Sequence, residues 1–358
     1  MCSSPRFAIV IGLAVALISG LASAKNPAPP PPLFFPPPPD EPRIQFLASF
    51  SSEEQMAELA GKRSFFRFIV GADKLQRPID KPYGLTTTPG KIFICDTTPG
   101  VIDVVDLVKR KMSYFRPEGD ATLGMPINIA VDSDGTRYIT DTKRNQVLVF
   151  KEDEYVGMIG KKDEMKPVGV ALTKDRIYVT DIQNHCVRVY EKASRKELFT
   201  FPKAGDANKA AQLFSPTNVA IDKNGRVSVS DTGGFFVNVY EADGKYLRTL
   251  GSQGLAPGKF SLPKGIAVDR ESRAYVVDAN TQVIQVFDAE GRILMYFGDP
   301  ARNGGGSTSL PAGIAIDYDN VKHFQNFVAP DFTVEYLILL ANQTGGQKIS
   351  VFGFGHKK

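Results

Sequence analysis

The chain has no tryptophan, three histidines and three cysteines among its 358 residues, and each scarcity weighs against a class of function. Without Trp it lacks the best stacking platform for a sugar ring. Two of the three histidines, His323 and His356, fall in an excursion and the tail of the last repeat, away from His185. A three-histidine zinc site is thereby excluded. No C-x-x-C-H occurs, so the chain attaches no c-type haem of its own. There is no G-x-S-x-G, no H-E-x-x-H and no phosphate loop. The 43 basic and 39 acidic residues leave a formal charge of +4. Lys and Arg are scattered, so no basic stripe asks for nucleic acid.

What is present begins with an export signal. Arg6 precedes an apolar run, Phe7 to Leu21, and Ala22-Ser23-Ala24 supplies a small-x-small cleavage pattern. Residues 1–24 read as a signal peptide, which predicts an exported protein, periplasmic or extracellular, with no membrane span after cleavage. Cys2 precedes the apolar run and is no lipobox cysteine. Residues 25–42 form a Pro-rich linker (NPAPPPPLFFPPPPDEP from Asn26), expected to run as an extended polyproline spacer. Its Leu33-Phe34-Phe35 interruption is the one hint of docking.

Six segments of the remainder are alike: PYGLTTTPGKIFICD, PINIAVDSDGTRYITD, PVGVALTKDRIYVTD, PTNVAIDKNGRVSVSD, PKGIAVDRESRAYVVD and PAGIAID. They open at Pro82, Pro126, Pro167, Pro216, Pro263 and Pro311, spaced 44, 41, 49, 47 and 48 residues apart. That period suits a four-stranded propeller blade. Within a unit, a short alternating strand leads through a turn such as Asp132–Gly135 to a strand ending in Asp. Those aspartates are Asp96, Asp141, Asp181, Asp231 and Asp278. A V-x-V-aromatic strand and a fourth strand ending at Gly follow. Cys95 and Cys186 fall in units one and three, which are not neighbours, so no disulfide is expected between them.

The last unit is irregular. After Asp317 the chain makes an excursion from Tyr318 to Val334, resumes at Glu335–Ala341 and adds Ile349–Phe352, with no outer strand. Residues 43–50 supply a free strand upstream, and lending it to the last blade would remove two sheet edges. Residues 51–71 read as a short helical insert, with a capping box at Ser51/Glu54 and helices at Ala57–Gly61 and Ser64–Val70. The expected fold is all-β: a six-bladed β-propeller over 43–358, with repeats at 82–354.

The P-x-G-[IV]-A-[IV]-D, Y-[IV]-x-D and [VI]-x-V-[YF] blocks resemble NHL repeats. The stretch from Asn342 to Phe354, with PRIQFL near the start, is similar to a group of secreted bacterial NHL propellers. The resemblance covers residues 43 to 354. It implies a protein without known catalytic chemistry, in a group often encoded beside extracellular multihaem cytochromes. The expectation is a monomeric, non-catalytic scaffold that engages a secreted or envelope protein, a multihaem cytochrome among the candidates. The alternative is a metal-dependent propeller hydrolase or lyase, lactonase-like. The composition leaves a Glu/Asn/Asp site for Ca²⁺ in the channel open, but no Glu occupies a first-strand position and no cofactor is predicted.

A residue that recurs in every blade serves the blade, so the Asp ring reads as turn acceptors. Function belongs where the repeats differ. Two residues after the opening prolines come Gly84, Asn128, Gly169, Asn218, Gly265 and Gly313. Asn128 and Asn218 therefore place amides at the channel mouth, with Tyr83 and Lys264 one residue earlier in their blades. His185, Phe235 and Phe236 occupy turns of blades 3 and 4. These seven residues are the candidate binding site, a polar pocket with an aromatic lip.

Overall fold

The computed structural model describes residues 31–59, 77–161, 163–203, 205, 207–302 and 304–358. The expected signal peptide and the expected helix at Ser64–Val70 lie outside them. The fold is all-β: five four-stranded antiparallel sheets and one five-stranded sheet. The innermost strands are Pro82–Thr88, Pro126–Val131, Pro167–Leu172, Pro216–Ile221, Pro263–Val268 and Pro311–Asp317. They neighbour one another in sequence order, and the last returns to the first. Six blades therefore surround one axis.

Burial follows position within the blade. Second strands such as Lys91–Asp96 and Arg176–Asp181 are buried on both faces, because each sheet is sandwiched between two others. The outer strand Glu154–Ile159 alternates exposed and shielded positions instead, the period-two pattern of a half-solvated strand. The core is six separate clusters, one per blade interface. Phe93, Cys95, Ile129 and Phe150, for example, fill the space between blades 1 and 2. Cys95 and Cys186 are free and buried. Burial raises both thiol pKa values, that of Cys186 to about 12.

Ring closure uses the upstream strand. Ile44–Phe50 lies antiparallel to Ile349–Lys357, with Ile44 opposite Phe354 and Phe50 opposite Ile349. The last blade is larger than expected. Its second and third strands run Phe332–Asn342 and Ile349–Lys357, because Phe332 is buried and packs against Phe34 at 5.2 Å. Leu33-Phe34-Phe35 does not float in a spacer: Phe34 and Phe35 form a fifth strand, opposite Gln45 and Ile44. Phe35 sits 6.2 Å from Phe297 and 6.3 Å from Phe352. The docking hint in the proline-rich segment is answered within the chain itself.

The excursion is pinned by two buried amides. Gln45 donates to the Phe327 carbonyl at 2.9 Å and accepts from Ala329 N–H at 3.0 Å. Asn320 accepts from Gly90 N–H at 2.6 Å and donates to Thr88 O at 2.9 Å, joining blade 6 to blade 1. The helix spans Glu53–Leu59, and its cap lies one residue later than expected. Ser52 Oγ accepts from Gln55 N–H, while Gln55 Oε1 accepts from Ser51 N–H. Ser51 Oγ is taken instead by Gly346 O and Lys348 N–H, holding the closing strand to the last blade.

Candidate functional site

The channel mouth is built by an irregularity repeated six times. Each inner strand loses register just after its opening proline, and such a bulge re-aims the side chains within it. Here the blades meet backbone to backbone. A Cβ on Gly313 would collide with Tyr83 O, and one on Gly169 would stand 2.8 Å from the Asn218 Cα. Hydroxyls lock the layer. Thr140 Oγ1 accepts from Asn128 N–H and donates to Val168 O in the next blade. Thr180 and Ser230 repeat the link toward Thr217 O and Lys264 O.

Four of the seven expected site residues converge here. Gly169 has no side chain, so Asn128 reaches over it and donates from Nδ2 to Asn218 Oδ1 at 2.8 Å. Asn128 Oδ1 in turn accepts from Ile129 N–H. Asn218 is 4% exposed, and its Nδ2 completes no hydrogen bond. Tyr83 reaches in from blade 1. Burial pushes its phenol up to about 12, opposed by the neighbouring Asn218 amide. The Lys264 ammonium lies 5.5 Å from the Tyr83 ring centroid, a cation–π distance. Burial, with Lys81 nearby, lowers the Lys264 pKa. Beneath this polar layer the channel encloses about 240 Å³, lined by residues such as Leu85, Ile129, Val170, Val219 and Ile314.

The other three residues form a separate group between blades 3 and 4. His185 is exposed, with Nδ1 against the Phe214 carbonyl. Phe236 packs edge-on to Phe214 at 6.3 Å and joins the core of that interface. His185 and Phe235 occupy the left-handed turn position, at φ 55° and 59°. Among the described residues, no hydrogen bond or ring contact joins this group to the mouth. It is a rim feature, and the lip expected over the pocket is absent from the contacts of the described mouth residues.

The Asp ring serves the blades. Asp141 accepts from the N–H groups of Gly124, Met125, Lys143 and Arg144. Asp278 accepts from Ser261, Leu262, Asn280 and Thr281. Asp231 holds Phe214, Ser215 and Gly234 in the same way. Each carboxylate thus ties the incoming loop to the turn that follows it, and its lone pairs are occupied. These carboxylates do not fit a channel cation. Among the described residues, no group of three or more His, Cys, Asp or Glu side chains is placed to hold a metal.

Sequence reasoning missed a second polar layer. On the third strands, opposite the residue two before the Asp or Asn that closes the second, stand Asp103, Leu148, Arg188, Asn238, Gln285 and Ser350, and five of these six are polar. Arg188 bonds Asp181 and Glu197. Gln285 clamps Gly258 N–H and Lys259 O. Asn238 donates to Ala210 O and Gln212 O. Polar residues inside otherwise apolar strands were the available signal. In blade 1, Arg77 bridges Asp96 at 2.8 Å and Asp103 at 2.7 Å. Burial raises Asp103 to about 7, with Arg77 opposing and Asp96 adding to the rise. A wide polar cleft, bordered by Ser49, Arg302, Thr308 and Gln347, was also not foreseen.

Comparison with known proteins places the architecture. The model of the NHL repeat matches residues 165–190. No curated protein sequence matches the chain. A streptogramin B lyase structure shares 15% identity, covering 78% of this chain and 85% of that one, with TM-score 0.53. A protein of unknown function from Bacteroides thetaiotaomicron shares 15%, covering 78% and 71%, with TM-score 0.57. Hydrazine synthase from Kuenenia stuttgartiensis shares 13%, covering 79% and 98%, with TM-score 0.50. Likeness at this identity extends to the fold and no further. The chain is an all-β, six-bladed propeller that carries an NHL repeat in its third blade.

Proposed function

We propose that this is an exported, non-catalytic binding propeller that holds a partner protein against its loop-rich top face. The observation that carries this reading is the face itself. The loops entering blades 2, 4 and 5 expose Met125 (43%), Phe214 (52%) and Leu255 (72%), while the Asp ring beneath fixes two of those loops at the backbone of Phe214 and Met125. Apolar side chains on anchored loops are the makings of a protein-binding surface. The partner class is another secreted or envelope protein, and the sequence resemblance makes a multihaem cytochrome the first to try. The working form is a monomer, in the periplasm or outside the cell.

The test is a photo-crosslinking amino acid placed at Phe214 on the top face, or at Leu294 on an outer strand, in the producing cell. A defined adduct with an extracytoplasmic protein from the first position and not the second supports the reading. No adduct from Phe214, or stoichiometric Ca²⁺ or Zn²⁺ in purified protein with hydrolase or lyase turnover, overturns it.

A further inference from the structure

The mouth layer holds more donor capacity than the protein uses. Asn218 is almost wholly buried, its Oδ1 is committed to Asn128, and its Nδ2, beside the Tyr83 phenol, completes no hydrogen bond. A buried donor left unpaired is costly, and at a site that differs between blades an incoming acceptor bridging this amide and the Tyr83 hydroxyl would satisfy it. The Lys264 side chain lies alongside, in contact with the Tyr83 ring. Among the described residues it makes neither an ion pair nor a side-chain hydrogen bond. Lys81 adds a second positive charge nearby. Amide, phenol and ammonium thus come from blades 4, 1 and 5 onto one spot over the axis.

The chemistry of the donors selects the ligand. A phosphate is usually held by arginine forks or by consecutive free backbone N–H groups. The loop N–H groups near the mouth are already spent on the Asp ring: Asp80 and Lys81 on Asp96, Gly124 and Met125 on Asp141. What remains is one ammonium, one amide N–H and one phenol O–H close together. That set matches a carboxylate, one oxygen on Lys264 and the other on Asn218 Nδ2 and the Tyr83 hydroxyl. From this geometry we propose that the channel mouth is a carboxylate-binding site formed by Asn218, Tyr83 and Lys264. The ligand is a free small carboxylic acid or the terminal carboxylate of a peptide. The site is independent of the partner surface around Phe214, so either can fail alone.

The experiment is calorimetric titration of the full exported protein with acetate, with N-acetyl-dialanine, with the amide of that dipeptide, and with inorganic phosphate. Binding of at least one carboxylate with none of the amide is expected. Acetate binding as well as the dipeptide marks a free-acid site, and dipeptide binding alone marks a peptide terminus. Lys264→Gln should weaken the carboxylate at least tenfold, and Tyr83→Phe, which keeps the ring and loses only the hydroxyl, severalfold. Tyr83→Phe decides the matter if Lys264→Gln fails to fold. Absence of carboxylate binding, equal binding of the amide, tighter binding of phosphate, or unchanged affinity in a folded variant overturns the proposal.

Discussion

Asp103 gives the structure a pH dependence below neutrality. The residue is 2% exposed, and its carboxyl shares Arg77 with Asp96 and leaves Oδ2 without a partner. Burial lifts it from the ordinary value of 3.8 to about 7. Between those values the native state holds a proton that the unfolded chain has released. Stability from this group is therefore complete below pH 4 and is lost as pH rises to 7. At ~1.4 kcal/mol per pH unit, the loss has a ceiling of ~4 kcal/mol. The carboxylates whose pKa is lowered, Asp134, Asp222 and Asp288, act in the opposite sense and below this window. Asp103→Asn keeps an acceptor for Arg77 and turns a donor toward Asp96. Urea unfolding of both proteins from pH 4.5 to 8 isolates the effect. The wild type should lose stability relative to the variant across this range, by up to ~4 kcal/mol. Parallel curves would refute the assignment of a raised carboxyl to this position.

Four other perturbations test the architecture. Phe35→Ala strips the fifth strand of its anchor on Phe297 and Phe352 and should cost ~3 kcal/mol in urea unfolding; a loss under ~1 kcal/mol would show that this strand does not stabilise the ring. Asn320→Ala leaves Gly90 N–H and Thr88 O unpaired in the blade 6–1 joint, for roughly 2–4 kcal/mol, measured the same way. Gly313→Ala drives a methyl into Tyr83 O, and should lower the melting temperature by the equivalent of about 1–3 kcal/mol. Alanine at both Asn128 and Asn218 removes the amide bridge at the mouth and should cost only ~1 kcal/mol with an unchanged circular dichroism spectrum; unfolding would make the pair structural.

The fold was legible because its repeats write the same instruction six times. The opening proline, the Asp closing the second strand and the V-x-V-aromatic strand each have one structural meaning, and Asp141 and Asp278 show it through the same set of loop and turn N–H bonds. Ring closure was legible from one surplus strand and one deficient sheet. The mouth was legible because Gly and Asn alternate irregularly at one register position. What could not be read lay in contacts made once. Nothing in Leu33-Phe34-Phe35 names Phe297 and Phe352 as its pocket, and nothing local marks Gln45 as the clamp of a loop at Phe327 and Ala329. His185 holds the turn before its blade's third strand and Phe236 opens the third strand of the next blade, and both side chains turn toward Phe214. The bulge that directs Tyr83 inward has no counterpart in those turns.

Departures from the repeat in this propeller are of two kinds, and their chemistry separates them. Gln45, Asn320 and Asn342 replace or add to the pattern in the last blade, and each both donates to and accepts from backbone: Phe327 and Ala329, Thr88 and Gly90, Gln347 and Ser309. They are repairs to a ring that must close on a strand from elsewhere in the chain. At the mouth, Tyr83, Asn218 and Lys264 also depart from the repeat, but their capacity is left over: an amide N–H without an acceptor and an ammonium without a counter-charge among the described residues. Donors left over where blades 1, 4 and 5 converge at the channel mouth are the feature that an incoming acceptor satisfies.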